Sequence, residues 1–120
     1  MTVPTYPRQR RRPSCRSACP PPNWLDLRDY QPVETAAALE SPILILQGGR
    51  DYQATVADDL ARWEAGLGER PNVTFRVYPA ANHLFFDGDG PSAPAEYESA
   101  RHMDPAVVAD IANWLAGGTV

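Results

Sequence analysis

Lysine is absent from this chain: all eleven basic residues are arginine. Cysteine is nearly absent as well, with only Cys15 and Cys19, both in a proline- and arginine-rich lead. A C-x-x-x-C pair with no further cysteine and no nearby histidine cannot complete a tetrahedral zinc site. The two read as free thiols, with a disulfide as the alternative. Long apolar runs are missing, and nothing approaches the roughly 20 apolar residues that a membrane-spanning helix needs. Positive charge is scarce beyond the lead. Residues 1–22 hold five arginines and no acid, whereas residues 23–120 hold six arginines and fifteen acids, hence −9. Such a body offers no basic face to a nucleic acid.

What remains is ordinary for a globular protein. A length of 120 residues, 43% apolar and 22% charged, suits one small domain and not two. An arginine-only basic set with abundant alanine fits the coding bias of a GC-rich bacterial genome. The thirteen prolines crowd toward the start. The lead "MTVPTYPRQRRRPSCRSACPPP" (residues 1–22) has no hydrophobic period and too little apolar surface to offset its ordering entropy. It is expected to be a disordered leader, produced by a misplaced start or a frameshift. A nuclear-localisation-like cluster, a transit peptide and a nucleic-acid arm are the alternatives. It lacks the apolar region of a secretory signal, so a cytoplasmic chain is expected. Residues 23–120 form the expected folded domain.

Within that domain, "PVETAAALE" (Pro32–Glu40) predicts a short helix with proline in its first turn, ended by Pro42. "ILIL" (Ile43–Leu46) is apolar on both faces, as in an interior strand of a parallel sheet covered on both sides. Gly48 and Gly49 then permit a tight turn. A helix capped by Thr55, with Asp58 at its third position, carries the stripe Val56, Leu60, Trp63 and Leu67 and stops at Gly68. "VTFRVY" (Val73–Tyr78) alternates Val, Phe, Val with Thr, Arg, Tyr, as a half-exposed strand does. The last helix starts at Asp104-Pro105 and should bury Val107, Val108, Ile111, Trp114 and Leu115. Strand, helix, strand, helix reads as α/β, with a parallel crossover between the strands.

In open α/β sheets, functional groups collect beyond the carboxyl ends of the strands. Asp51 follows one such end and His83 follows the next, 32 residues later. Neighbouring strands lie about 4.8 Å apart, so loops leaving them can bring a carboxylate to an imidazole. An aspartate on one ring N–H fixes the histidine tautomer and stabilises the imidazolium formed when the other nitrogen takes a proton. The plainer readings are that Asp51 caps the following helix and that His83 is a loop histidine. His102, just before the Asp104 cap, reads as structural or superficial. "DGDG" (Asp87–Gly90) lacks the other ligands of a calcium loop and reads as a flexible connection. Arg50 is either a contact for a substrate carboxylate or an exposed loop arginine. Trp63 and Trp114 read as core.

"PILILQGGRDYQ", then "FRVYPAANHLF" and a terminal "DIANWL" helix, resemble the C-terminal end of an α/β-hydrolase. The branch they resemble most is the bacterial dienelactone-hydrolase-like and serine-aminopeptidase-like group. The likeness runs from about Trp24 to Ala116. It implies a chain order of nucleophile, acid, histidine, with Asp51 as the acid and His83 as the base. It also implies an ester or peptide substrate, no metal or organic cofactor, and a chain holding only the last two parallel strands of the fold.

The chain departs from that pattern in having no G-x-S-x-G elbow. Its five serines are Ser14, Ser17, Ser41, Ser92 and Ser99, none placed on a strained strand-to-helix turn. The expectation is therefore a truncated serine hydrolase that keeps its acid and histidine and does not turn over alone. A different class is the alternative: a non-catalytic interaction protein that pairs its exposed sheet edge with a partner chain. A third class, a nucleic-acid binder, would act through the arginine cluster of the lead. A two-stranded sheet with an open apolar edge is marginal by itself, so instability, self-association or completion by another polypeptide is also expected.

Overall fold

A computed structural model describes residues 27–120. The expectations for the lead at residues 1–22, including Cys15, Cys19 and the arginine cluster, lie outside the described residues. Leu27–Tyr30 form a single exposed turn, closed by the Tyr30 amide donating to the Leu27 carbonyl at 3.0 Å.

From Gln31 onward the order is α1 (Pro32–Ala37), β1 (Ile43–Gly48), a π-helical turn (Val56–Leu60) running into α2 (Ala61–Leu67), β2 (Val73–Tyr78), a 3₁₀ turn (Pro94–Tyr97) and α3 (Pro105–Leu115). Pro32 starts α1, where its missing N–H costs nothing. The helix stops at Ala37, short of the predicted Glu40. So short a helix depends on tertiary contacts rather than on alanine propensity, and its contact is with α2, where the Val33 side chain occupies the space beside Gly66.

Both predicted caps form. The Thr55 hydroxyl accepts from the Asp58 amide at 3.1 Å, and the Thr55 amide in turn donates to the Asp59 carboxylate at 2.7 Å, rather than to that of Asp58. The Asp104 side chain accepts from the Ala106 amide at 2.8 Å ahead of Pro105.

β1 and β2 pair in parallel as a two-stranded sheet, in register from Ile43 opposite Val73 to Gly48 opposite Tyr78. The buried apolar residues are few. Leu60 and Leu67 come from the crossover helix; Tyr78, Ala81 and Val107 form a cluster, with Leu46 and Phe85 packed against it. Four expectations need correction. Ile43–Leu46 are half-buried rather than enclosed, because only β2 pairs with β1 among the described residues. In α3 only Val107 is buried; Trp114 is half-buried, and Val108, Ile111 and Leu115 are exposed. In the crossover stripe Val56 is exposed and Trp63 half-buried. In β2 it is Tyr78 that is buried and Val77 that is exposed. The hydroxyl of Tyr78 reaches across to α3 and donates to Asp110 at 2.7 Å.

Candidate active site

The carboxyl ends of β1 and β2 are stitched together by backbone. The Gly49 amide donates to the Tyr78 carbonyl at 2.8 Å, and the Arg50 amide donates to the Ala81 carbonyl at 2.9 Å. Gly48 and Gly49 make this possible through their lack of a side chain, not through the left-handed conformation that a tight turn suggests. Neither is among the glycines with positive φ. A Cβ on Gly48 would stand 2.7 Å from the Ala81 carbonyl oxygen, and one on Gly49 would stand 2.7 Å from Pro79 Cα. Both are closer than non-bonded atoms approach, and the obstacles are backbone that cannot swing away.

This approach carries Asp51 to His83. His83 Nδ1 lies 2.8 Å from Asp51 Oδ2. A carboxylate can only accept, so Nδ1 holds the proton and donates it. Asp51 is buried, whereas the His83 side chain is 42% exposed. No side-chain hydrogen bond from Nε2 is formed among the described residues. The pair is thus oriented from inside and open from outside.

Asp51 Oδ1 is occupied as well, accepting from the amides of Gln53 at 2.8 Å and Ala54 at 3.0 Å. Burial alone would push this carboxyl up. The Ala54 amide, the His83 ring and the Gln53 amide together outweigh it and hold the group below the ordinary carboxylate value. Gln47 completes the wall behind it: its Nε2 donates to the Ala54 carbonyl at 2.8 Å and the Gly48 carbonyl at 3.0 Å, and approaches Asp51 Oδ2 at 3.4 Å.

The other candidates are placed differently. His102 is exposed and bonds neither member of the pair. Arg50 is neither exposed nor free: its side chain is 9% exposed and ion-paired with Glu96. Its Nε donates to the Gly90 carbonyl at 2.6 Å, so the "DGDG" segment is pinned rather than flexible. None of the described serines bonds His83. Ser41 precedes β1, at the far end of the sheet, and the Ser92 hydroxyl donates to Glu96 at 3.1 Å. Ser99 is exposed beyond the 3₁₀ turn.

Glu96 and the buried Asn82 are neighbours of this pair that the sequence did not single out. Glu96 sits in a Pro/Ser/Ala-rich loop with no periodicity to mark it. A groove of about 390 Å³, lined by Pro42, Trp114, Leu115, Gly117 and Gly118, lies at the amino end of β1, away from the pair. Among the described residues, no three His, Cys, Asp or Glu side chains are placed to hold a metal ion, and no helix is long and apolar enough to cross a membrane.

No protein-family model matches the chain, and no solved structure matches it significantly. A curated protein named Esterase EstD, from Thermotoga maritima, is 40% identical to it over 92 residues. The match takes in 77% of this chain and 22% of that esterase, so the chain spans about a fifth of its relative's length. A stretch of 92 residues in a chain of 120 cannot avoid residues 29–92, and the likeness to an esterase therefore runs through both Asp51 and His83.

Proposed function

We propose that this chain is the acid–base end of an ester hydrolase of the α/β-hydrolase type, with Asp51 and His83 as catalytic residues. The observation that carries this reading is the 2.8 Å contact between Asp51 and His83 Nδ1 beyond the ends of two adjacent parallel strands. With Nδ1 engaged, Nε2 deprotonates a serine and then protonates the leaving alcohol, while Asp51 holds the ring and stabilises the imidazolium. The chain has no G-x-S-x-G, so the serine and the oxyanion donors come from a polypeptide segment outside it. An ester is the substrate favoured by the esterase likeness; a peptide is the further possibility that the hydrolase fold allows. The dienelactone-hydrolase-like and serine-aminopeptidase-like branch rests on the motif resemblance alone.

A chimera tests this directly. The matched segment of the Thermotoga maritima esterase is replaced by its counterpart here, and hydrolysis of a short-chain p-nitrophenyl ester is measured. Activity should survive the exchange and fall about 10⁴-fold with Asp51→Asn and at least as far with His83→Ala, as for other triads. A folded chimera that is inactive, or one indifferent to both substitutions, would sink the proposal.

A second reading is favoured by the sheet itself. β1 pairs with β2 alone among the described residues, and its half-buried apolar residues suit pairing with another strand. On this reading the chain is an interaction protein completed by a second copy or by a separate partner.

A further inference from the structure

The Asp51–His83 pair is backed by a buried polar group with no part in proton transfer. Asn82 immediately precedes His83 and is 0% exposed. Its Oδ1 accepts from the amides of Leu84 at 3.0 Å and Phe86 at 3.1 Å. Its Nδ2 donates to Glu96 Oε2 at 2.7 Å. The other oxygen of Glu96 is ion-paired with Arg50, which immediately precedes Asp51. The remaining Arg50 bonds go to backbone carbonyls, of Gly90 at 2.6 Å, Ala80 at 3.2 Å and Asp89 at 3.3 Å. Arg50, Glu96 and Asn82 therefore link the residue before the acid to the residue before the histidine.

The same bonds enclose a strained turn. Phe85 has φ 57° and is the one non-glycine residue in the left-handed region among those described. A bulky side chain stays there only where its surroundings over-determine it. They do so here. The Phe85 amide donates to the Asn82 carbonyl at 2.9 Å, and the Asn82 amide donates to the Phe86 carbonyl at 3.0 Å. The Phe85 ring meets Tyr78 edge-on, with centroids 5.8 Å apart. His83 lies inside this closed turn, so its direction follows from whatever holds Asn82.

A buried ion pair is weak support for stability alone, because desolvation offsets its attraction. Its placement between the two shoulders of the pair points to another role. We infer that Glu96, through Asn82 and Arg50, is the positioning residue that sets the His83 tautomer. It clamps the two loops so that Nδ1–H faces Asp51 and Nε2 is left as the acceptor. None of the three touches a reacting atom. The inference rests on the hydrolase reading for its purpose, but its test needs no turnover.

The test is the tautomer itself, read from the side-chain ¹⁵N shifts of His83 in the full chain with its ring neutral. His102→Asn removes the second histidine signal. In the parent chain the Nδ1–H form should predominate. Glu96→Gln leaves the Arg50 charge without a carboxylate, and Asn82→Asp sets two carboxylates face to face. Each should raise the ratio of Nε2–H to Nδ1–H by roughly tenfold, the weight of one charge-assisted hydrogen bond. Leu67→Val, in the crossover helix, should lower the unfolding midpoint and leave the ratio alone.

Combining Glu96→Gln with Asn82→Asp restores a donor facing a carboxylate and should return the ratio most of the way. The inference is overturned if either single variant folds with the parent ratio. It is also overturned if the double variant neither folds better nor lies closer to the parent ratio than the singles. An inactive chimera whose tautomer is intact counts against the hydrolase reading and not against the clamp.

Discussion

Asp51 uses one carboxylate for two tasks that the sequence presents as alternatives. Oδ1 closes the turn by accepting from Gln53 and Ala54, while Oδ2 meets His83. The sign of its pH effect follows. Its folded-state pKa lies below the ordinary value of 3.8, so its contribution to stability is complete above that value and is lost as pH falls through the lower, folded one. Urea midpoints of the parent chain and Asp51→Asn, compared from pH 5 downward, should differ most at pH 5 and converge as the solution becomes more acid. A gap that does not change with pH would show that the carboxylate charge plays no part. Glu96 is held low in the same direction, first by Asn82 and against a burial cost, with Arg50 and Ser92 adding to the effect.

At the scale of elements, the decisive feature is how closely the ends of β1 and β2 approach. A Cβ on Gly48 would meet the carbonyls of Ala81 and Asn82, both backbone atoms on the turn that carries His83. Gly48→Ala should therefore cost about 1–3 kcal/mol, as overpacking at a rigid site does, and should pull His83 away from Asp51. Chemical denaturation gives the first quantity and the His83 ¹⁵N shifts give the second. Unchanged stability would mean that the two loops are free to part. The same scale explains Tyr78. Its ring packs with Ala81 and Val107 while its hydroxyl bonds Asp110 on α3. Burial and that bond push its pKa up to about 12, so it remains a neutral donor at physiological pH.

For the whole molecule, the described residues bury little apolar surface and expose a good deal. Leu115 is 73% exposed, Val108 54% and Ile111 37%, all along α3. β1 has a second edge that nothing pairs among the described residues. Apolar stripes and open edges of this kind favour association. Sedimentation should show a mass that rises with concentration, and Val108→Glu with Leu115→Glu should shift it toward the monomer. A monomer at every concentration would remove self-pairing from consideration.

The sequence by itself determined the two strands, the three helices and their order. Local signals write them directly: Pro32 and Asp104-Pro105 at helix starts, the Thr55 cap, the β-branched and apolar runs of the two strands. It also placed Asp51 and His83 beyond strand ends, because position along an α/β chain maps onto position in the sheet. Tertiary structure alone decided which faces are covered, since periodicity marks an apolar stripe without supplying a partner for it; hence Ile111 and Leu115 lie open. It alone decided why Gly48 and Gly49 are glycine, because a close approach between distant loops leaves no local trace. The Arg50–Glu96–Asn82 bridge was beyond the sequence for the same reason. Its members are 46 and 14 residues apart, and only folding brings their charges and amides within hydrogen-bond reach.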